Sequence, residues 1–151
     1  MIPRKILFCT DFSENSIPAK ASAVEYAKAF KSQLLILHVV NSRLFGYPTL
    51  EDKIPVDMGL IRRNIEEGVR QELDLIAKDC ERKVKRVKVF FRTGAPAEEI
   101  AQVVVEESID LVVMGTHGAT GLRHLILGST AENVVRTANC PVLTVRSAPK
   151  E

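Results

Sequence analysis

Gln33-Leu-Leu-Ile-Leu-His-Val-Val40 and Asp110-Leu-Val-Val-Met-Gly115 are the two stretches of this 151-residue chain that decide its fold. Both are nearly continuous apolar runs, without the alternation of polar and apolar residues that marks a strand with one face in water. Such runs indicate strands buried on both faces, which is typical of a parallel sheet covered by helices. The chain is therefore predicted to be an α/β protein.

Three further short apolar segments complete a set of five predicted strands, separated by longer segments of helical periodicity. The strands are predicted at Lys5–Thr10, Gln33–Val40, Arg86–Phe91, Asp110–Gly115 and Val142–Arg146. Alternation of this kind builds βαβ units with right-handed crossovers. We predict one Rossmann-like domain over residues 1–151, an open five-stranded parallel sheet of order 3-2-1-4-5 with helices on both faces.

The segments between the strands carry apolar residues three and four positions apart, which predicts amphipathic helices. The first begins near Pro18 and turns Ala23, Ala27 and Phe30 toward the sheet. The second is predicted over residues 58–84, and its apolar stripe consists of Ile61, Ile65, Val69, Leu73, Ile76 and Cys80. The third begins near Pro96 with Ile100, Val103 and Val104 turned inward, and the fourth covers residues 130–138.

Residues 41–55 have no helical or strand period and contain two prolines and a glycine. They are predicted to form a long loop without secondary structure. Loops of that length are either functional or mobile surface insertions, and both interpretations stay open.

Composition excludes several classes of protein. The net charge is +2, from 21 Lys and Arg against 19 Asp and Glu, which argues against a dedicated nucleic-acid binder. No apolar run approaches the roughly 20 residues that a membrane helix needs, and the amino terminus lacks the apolar core of a secretory signal. Cys9, Cys80 and Cys140 are widely separated, which indicates neither disulfides nor a zinc site. A cytoplasmic protein is expected.

Two polar segments follow strands that neighbour each other at the switch point of the predicted sheet, where α/β folds bind their ligands. One is Cys9-Thr-Asp-Phe-Ser13. The other begins at Gly115-Thr-His-Gly118 and continues to Gly128-Ser129-Thr130, where a helix starts. Glycine accepts positive φ and lets backbone N–H groups approach an anion, and a helix N-terminus attracts phosphate. The second segment therefore predicts a phosphate site.

Each candidate residue also has a simpler interpretation. Ser129 and Glu132 fit a capping box, so Ser129 would cap the helix while also contacting phosphate. Asp11 would bind ribose hydroxyls or a metal, or else form an Asx-turn. His117 would face a phosphate or simply be solvated. Three scattered histidines do not make a metal cage, so no protein metal site and no catalytic residue are predicted.

The motifs resemble the universal stress protein family along essentially the whole chain. The resemblance rests on Lys5-Ile-Leu-Phe-Cys-Thr-Asp-Phe-Ser13, Leu35-Ile-Leu-His-Val39, the helix start Gly94-x-Pro-x-x-x-Ile100 and Asn139-Cys-Pro-Val-Leu-Thr-Val145. The pattern G-x2-G-x9-G-[ST], here Gly115, Gly118, Gly128 and Ser129, resembles the ATP-binding branch of that family. Cys9 stands where some ATP-binding relatives have proline.

This resemblance implies an ATP site. Thr10 and Asp11 would lie by the ribose and adenine, Val39 would bond the base through its backbone, and Met114 and Gly115 would line the nucleotide. Gly118, Gly128, Ser129 and Thr130 would hold the phosphates, with Mg²⁺ or Mn²⁺ bridging phosphate oxygens. The family also implies a homodimer through the carboxyl-terminal strand, residues 141–147.

Three functions are consistent with the sequence. The first is an ATP-dependent regulatory module in stress response that acts on a protein partner. The second is a weak ATP hydrolase or nucleotide-transferring enzyme using Asp11 or His117, with Arg123 offsetting charge. The third is an adaptor that ignores nucleotide and uses residues 41–55 as its contact. No P-loop and no G-x-G-x-x-G occurs, and Ser129 does not lie in a G-x-S-x-G motif, which excludes the simplest enzyme interpretations.

Overall fold

Five parallel strands form one sheet in the order β3-β2-β1-β4-β5. The structure is a computed structural model and describes residues 1–45, 57–118 and 127–148. The strands are β1 Lys5–Cys9, β2 Gln33–Asn41, β3 Val87–Gly94, β4 Leu111–Gly115 and β5 Val142–Val145. The predicted topology is confirmed. Its switch point lies between β1 and β4, which pair from Ile6↔Leu111 to Cys9↔Met114.

In the described ranges four α-helices cover the sheet, two on each face. They are α1 Ile17–Phe30, α2 Met58–Glu81, α3 Pro96–Glu106 and α4 Ser129–Thr137, and two short 3-10 helices lie at Glu14–Ser16 and Ser42–Phe45. Alternate residues of each strand point to opposite faces. Ile6 and Phe8 accordingly pack with α1 and α2, whereas Leu7 and Cys9 pack with α3 and α4. This two-sided burial is the reason for the continuous apolar runs.

The inward residues of the helices match the predicted stripes, with two exceptions at helix ends. Ala23, Ala27, Val103 and Val104 are buried as predicted. Phe30 is 39% exposed, because it is the last residue of α1, and its ring stacks on Tyr26. Ile61, in the first turn of α2, is 37% exposed.

Most element ends lie within one residue of the predictions, and three differences are larger. Helix α2 stops at Glu81 because the N–H groups of Lys83 and Val84 both turn back to the Cys80 carbonyl. Strand β3 extends to Gly94, since it pairs with β2 as far as Asn41↔Gly94. Residues 42–45 form a 3-10 helix rather than irregular loop, and the rest of the predicted 41–55 loop lies outside the described residues.

Candidate functional site

A cavity of about 260 Å³ opens at the carboxyl ends of β1 and β4. Every residue predicted for the site lines it, namely Thr10, Asp11, Val39, Met114, Gly115, His117, Gly118, Gly128, Ser129 and Thr130. The lining also includes Cys9, Ser16, Leu37, Pro96, Ile100, Thr116 and Ala131. The fold thus brings together, around one cavity, segments that lie more than a hundred residues apart in the chain.

The near wall is the turn that follows β1, and it holds a strained residue. Phe12 has φ of 64°, a left-handed conformation that is uncommon for bulky side chains. Two contacts hold it there: its N–H donates to Thr10 Oγ1 at 3.0 Å, and its ring stacks on His38 with centroids 4.2 Å apart. The Thr10 hydroxyl also bonds Ser16 Oγ at 3.1 Å. Thr10 therefore uses its hydroxyl to shape the turn.

His38 supports the near wall from behind. Its Nδ1 lies 2.8 Å from the Thr10 carbonyl oxygen, and because a carbonyl only accepts, Nδ1 carries the proton. Burial lowers the pKa of His38, an effect opposed by the bond to Thr10 and by the charge of Asp11. A lowered pKa favours the neutral ring at pH 7, so His38 acts as a neutral donor beneath the turn.

Asp11 presents one carboxylate oxygen to its own turn and the other to the far wall. Oδ1 accepts from the Ser13 N–H at 3.0 Å and from the Ser13 hydroxyl at 2.6 Å, which is the Asx-turn that sequence left as an alternative. Oδ2 lies 3.2 Å from the position that a Cβ on Gly118 would occupy. The turn therefore fixes Asp11 at the cavity mouth with Oδ2 directed across it.

One end of the cavity is apolar. Leu37, Ile100 and Met114 line it and are at most 6% exposed. Cys9 also lines it, and burial raises the pKa of its thiol far above the usual range, so the thiol is a protonated apolar surface. An apolar lining of this kind suits a flat aromatic ligand better than a charged one.

Val39 adds backbone hydrogen-bonding groups to this apolar end. The bond from Thr10 N to Leu37 O at 2.9 Å shows that odd-numbered residues of β2 direct their backbone groups toward β1. Strand β1 pairs with β2 only as far as Cys9↔Leu37. The N–H and C=O of Val39 therefore point past the end of β1, at the edge of the cavity.

The far wall needs glycine for space rather than for unusual backbone angles. None of Gly115, Gly118 and Gly128 has φ in the left-handed region, so the sequence argument from positive φ was wrong at these positions. A Cβ on Gly115 would lie 2.9 Å from the Asn15 carbonyl oxygen, and one on Gly128 would lie 3.1 Å from that of Thr116. Both contacts are with backbone that cannot move independently.

The phosphate candidate is the N-terminus of α4. Its first internal bond runs from Glu132 N to Gly128 O at 2.9 Å. The N–H groups of Ser129, Thr130 and Ala131 therefore have no partner within the helix, and all three residues line the cavity. Three amides without helical partners and the positive end of the helix dipole together have the chemistry that suits an anion.

The predicted capping box is wrong. The N-cap is Gly128, which has no side chain to cap the helix, and Ser129 is already helical. Glu132 instead pairs with Arg136 at 2.8 Å, one turn further along α4. The absence of a side-chain cap leaves the first-turn amides open to the cavity.

Thr116 and His117 hold the two ends of the far wall together. The Thr116 carbonyl accepts from Gly128 N at 2.6 Å, which closes the loop between them, and Thr116 N donates to Val145 O on β5. His117 Nδ1 lies 3.0 Å from Thr116 Oγ1. His117 lines the cavity as predicted and is oriented by its neighbour.

Metal-binding groups are sparse in the part of the chain that the structure describes. No three His, Cys, Asp or Glu side chains there cluster as they would around a protein-held metal. Asp11 is the one carboxylate among the residues of the cavity lining. Separately, no helix of the described ranges is long and apolar enough to cross a bilayer.

Comparison with known proteins agrees with this geometry. The model of the universal stress protein family matches residues 3–146. The chain belongs to the universal stress protein family. Family relatives include MJ0577 of Methanocaldococcus jannaschii, 32% identical with 95% of this chain and 94% of the relative covered, and YxiE of Bacillus subtilis, 30% identical with 94% and 98% covered.

Solved structures of universal stress proteins share the fold. The MJ0577 structure superposes with a TM-score of 0.81 at 31% identity, covering 99% of this chain and all of that one. UspA of Lactobacillus plantarum gives a TM-score of 0.72 at 25% identity, with 94% and 97% covered.

The family motifs account for some lining residues and miss others. Ile100 and Pro96 were predicted as inward and first-turn residues of α3, and the position of α3 beside the β2 end was the signal that would have placed them in the site. Ser16 and Ala131 carry no such signal, because only the packed turn and helix bring them to the cavity.

Proposed function

We propose that this universal stress protein is an ATP-binding regulatory module of the stress response. One observation carries the proposal: a single cavity combines apolar lining residues with a helix N-terminus whose first three amides have no partner within the helix. Adenine matches the first and a phosphate chain matches the second. A ligand without an aromatic base, or one without phosphates, would leave part of this lining without a matching group.

The individual contacts follow from the geometry of the walls. Val39 offers its backbone N–H and C=O to the base edge, and Asp11 Oδ2 accepts from ribose hydroxyls. Gly118 and Gly128 let the phosphates approach, and Ser129 and Thr130 contact them through hydroxyls and amides. Proteins of the same fold have been solved in complex with cAMP and with dAMP, at 20% and 18% identity to this chain, which supports the fold rather than the choice of nucleotide.

A divalent ion fits the site only as a partner of the nucleotide. Among the described residues the lining holds one carboxylate, Asp11, which is fewer than the oxygen cage of Mg²⁺ or Mn²⁺ requires. The ion would neutralise phosphate charge, and the Ser129 and Thr130 hydroxyls are the protein oxygens available beside it.

The cavity supports binding better than hydrolysis or nucleotide transfer. Oδ1 of Asp11 already accepts two bonds from Ser13, which restrains the carboxylate and lowers its use as a base. Arg123, the cation considered for charge neutralisation, lies outside the described residues. We therefore propose that the signal is the occupancy of the cavity by ATP and not the hydrolysis of ATP. In pull-down experiments, a protein partner is expected to bind the ATP-loaded protein more strongly than the nucleotide-free protein.

Thermal unfolding with and without ATP tests the proposal. ATP at 100 times its Kd is expected to add about 2.7 kcal/mol to the free energy of unfolding. Gly118→Val should abolish this gain, because its side chain would occupy the space between Gly118 and Asp11 Oδ2. Gly68→Val is the matched control, since nothing lies within 4 Å of a Cβ there. An unshifted wild type would refute ATP binding, and mass spectrometry of co-purified nucleotide gives an independent reading.

We also propose a homodimer formed through β5. The bonds from Val112 N to Pro141 O and from Thr116 N to Val145 O show that odd-numbered residues of β5 face β4. The backbone groups of Val142 and Thr144 therefore point away from the sheet, along an edge suited to a two-fold pairing.

Thr144→Pro tests this edge selectively. Proline removes an outward N–H while leaving the bonds to β4 in place, so the variant should shift from dimer to monomer in light scattering after size exclusion. Thr144→Val, which keeps the N–H, should remain dimeric. A monomeric wild type, or a dimeric proline variant, would contradict the proposed edge.

We place the protein in the cytoplasm. Cys9, Cys80 and Cys140 are all free thiols, which suits a reducing compartment. Cell fractionation tests this placement, and recovery in a secreted fraction would refute it.

A further inference from the structure

Asn15 connects three segments that are distant in the chain. Its side-chain Nδ2 donates to the carbonyl oxygen of Gly118 at 3.0 Å, and its Oδ1 accepts from the hydroxyl of Ser147 at 3.1 Å. Its own carbonyl oxygen lies 2.9 Å from the position of a Cβ on Gly115. Asn15 thus contacts the far wall at two points and the segment after β5 at a third.

Its two side-chain partners, the Gly118 carbonyl and the Ser147 hydroxyl, leave the Asn15 amide only one orientation. The Gly118 carbonyl can only accept, so it must face the NH₂ group of the amide. Oδ1 is then directed to Ser147, whose hydroxyl rotates to donate to it. A flipped amide would place two carbonyl oxygens against each other, which makes the observed arrangement strongly preferred.

This bond matters for an anion bound in the cavity. Gly118 lines the proposed phosphate end, and its carbonyl oxygen carries a partial negative charge that would repel phosphate oxygens. A donor on that carbonyl both holds it in place and offsets its charge. Asn15 is absent from the lining, so it acts through Gly118 rather than on the ligand.

We propose that Asn15 is a positioning residue for the phosphate end of the site, with its amide oriented by Ser147. The proposal rests on the proposed nucleotide binding and deepens it. It also means that the segment following β5 contributes to phosphate binding without touching the ligand.

The test compares two ligands that differ only at the phosphate end. Calorimetric Kd values for ATP and for adenosine are measured on wild type, Asn15→Ala, Ser147→Ala, the double variant and the control Asn64→Ala, an exposed position on α2. Loss of one hydrogen bond predicts that Asn15→Ala weakens ATP binding about fivefold to tenfold, with the adenosine Kd unchanged within about twofold. Ser147→Ala should act in the same direction by about threefold.

The double variant Asn15→Ala with Ser147→Ala tests whether Ser147 affects ATP binding only through Asn15. It should bind ATP no more weakly than Asn15→Ala alone, because Ser147 works only through the Asn15 amide. Equal weakening for ATP and adenosine would reduce Asn15 to a general structural role, and unchanged ATP binding or additive losses would overturn the proposal. If Asn15→Ala does not fold, the Ser147→Ala variant provides the test instead, through the ratio of its Kd values for ATP and adenosine. A wild type that binds neither ligand would instead refute the proposed function itself.

Discussion

Gly115→Ala is expected to lower the free energy of unfolding by about 1–3 kcal/mol, the usual cost of forcing an extra methyl group into packed surroundings. The new Cβ would lie 2.9 Å from the Asn15 carbonyl oxygen, which is closer than real Cβ contacts come. Because Asn15 belongs to the turn that holds Asp11 and Phe12, relief of the contact must move the near wall away from the far wall. ATP affinity should therefore fall together with stability.

The same substitution elsewhere supplies the control. Gly68 is exposed within α2 and has nothing within 4 Å of a Cβ. Gly68→Ala should raise the free energy of unfolding by up to about 1 kcal/mol, since alanine is the better helix former. Urea denaturation of the two variants beside wild type measures both effects. If Gly115→Ala and wild type have the same free energy of unfolding, the near and far walls of the cavity can separate without loss of stability, and the prediction is wrong.

Ser129→Glu is expected to separate binding from stability. A carboxylate in the first turn of α4 favours the helix by about 0.3–1 kcal/mol, because it lies at the positive end of the dipole. The same charge would repel the phosphates that this turn is proposed to hold. At about 5 Å and an effective dielectric constant near 20, each charge pair costs about 3 kcal/mol, so ATP affinity should fall at least about a hundredfold.

Adenosine and two further variants sharpen this result. Adenosine should bind Ser129→Glu as it binds wild type, since it lacks phosphates. Ser129→Ala should lose only the hydroxyl contact, and Val135→Glu adds the same charge at an exposed position further along α4. Isothermal calorimetry measures the Kd values for ATP and adenosine, and thermal melts measure the stability of each variant. If the Ser129→Glu variant is stabilised and still binds ATP with wild-type affinity, the phosphates do not bind at the N-terminus of α4.

Most of the fold was predictable because its signals are local. The buried runs in β2 and β4 identify a two-sided sheet without reference to any other residue, and for the doubly wound order 3-2-1-4-5 right-handed crossovers then place helices on both faces. The ends of elements were less predictable. Whether β3 continues to Gly94 depends on a neighbour for those residues to pair with, and Phe30 is exposed because α1 ends there.

The candidate site divides in the same way. Asp11 and Gly118 could be picked out because each follows a recognisable strand, and Gly128 because it precedes a recognisable helix. The reason for the glycines could not be read from the chain, since it is the approach of the Asn15 and Thr116 carbonyls. Ser129 matched a capping pattern that the fold does not use, because Gly128 takes the N-cap position and the loop closes on Thr116.

The sequence by itself determined the class of fold and the edge of the sheet at which α/β folds bind their ligands, because both depend on hydrophobic periodicity and chain order. Val39 and Met114 were added to the predicted site only by the resemblance to the universal stress protein family. Only the tertiary structure decided how the walls are held: the strained Phe12 on His38, the open first turn of α4, and the Asn15 amide between Gly118 and Ser147. Such contacts join residues up to 132 positions apart, and directional hydrogen bonds at that separation exist only once packing has fixed both partners.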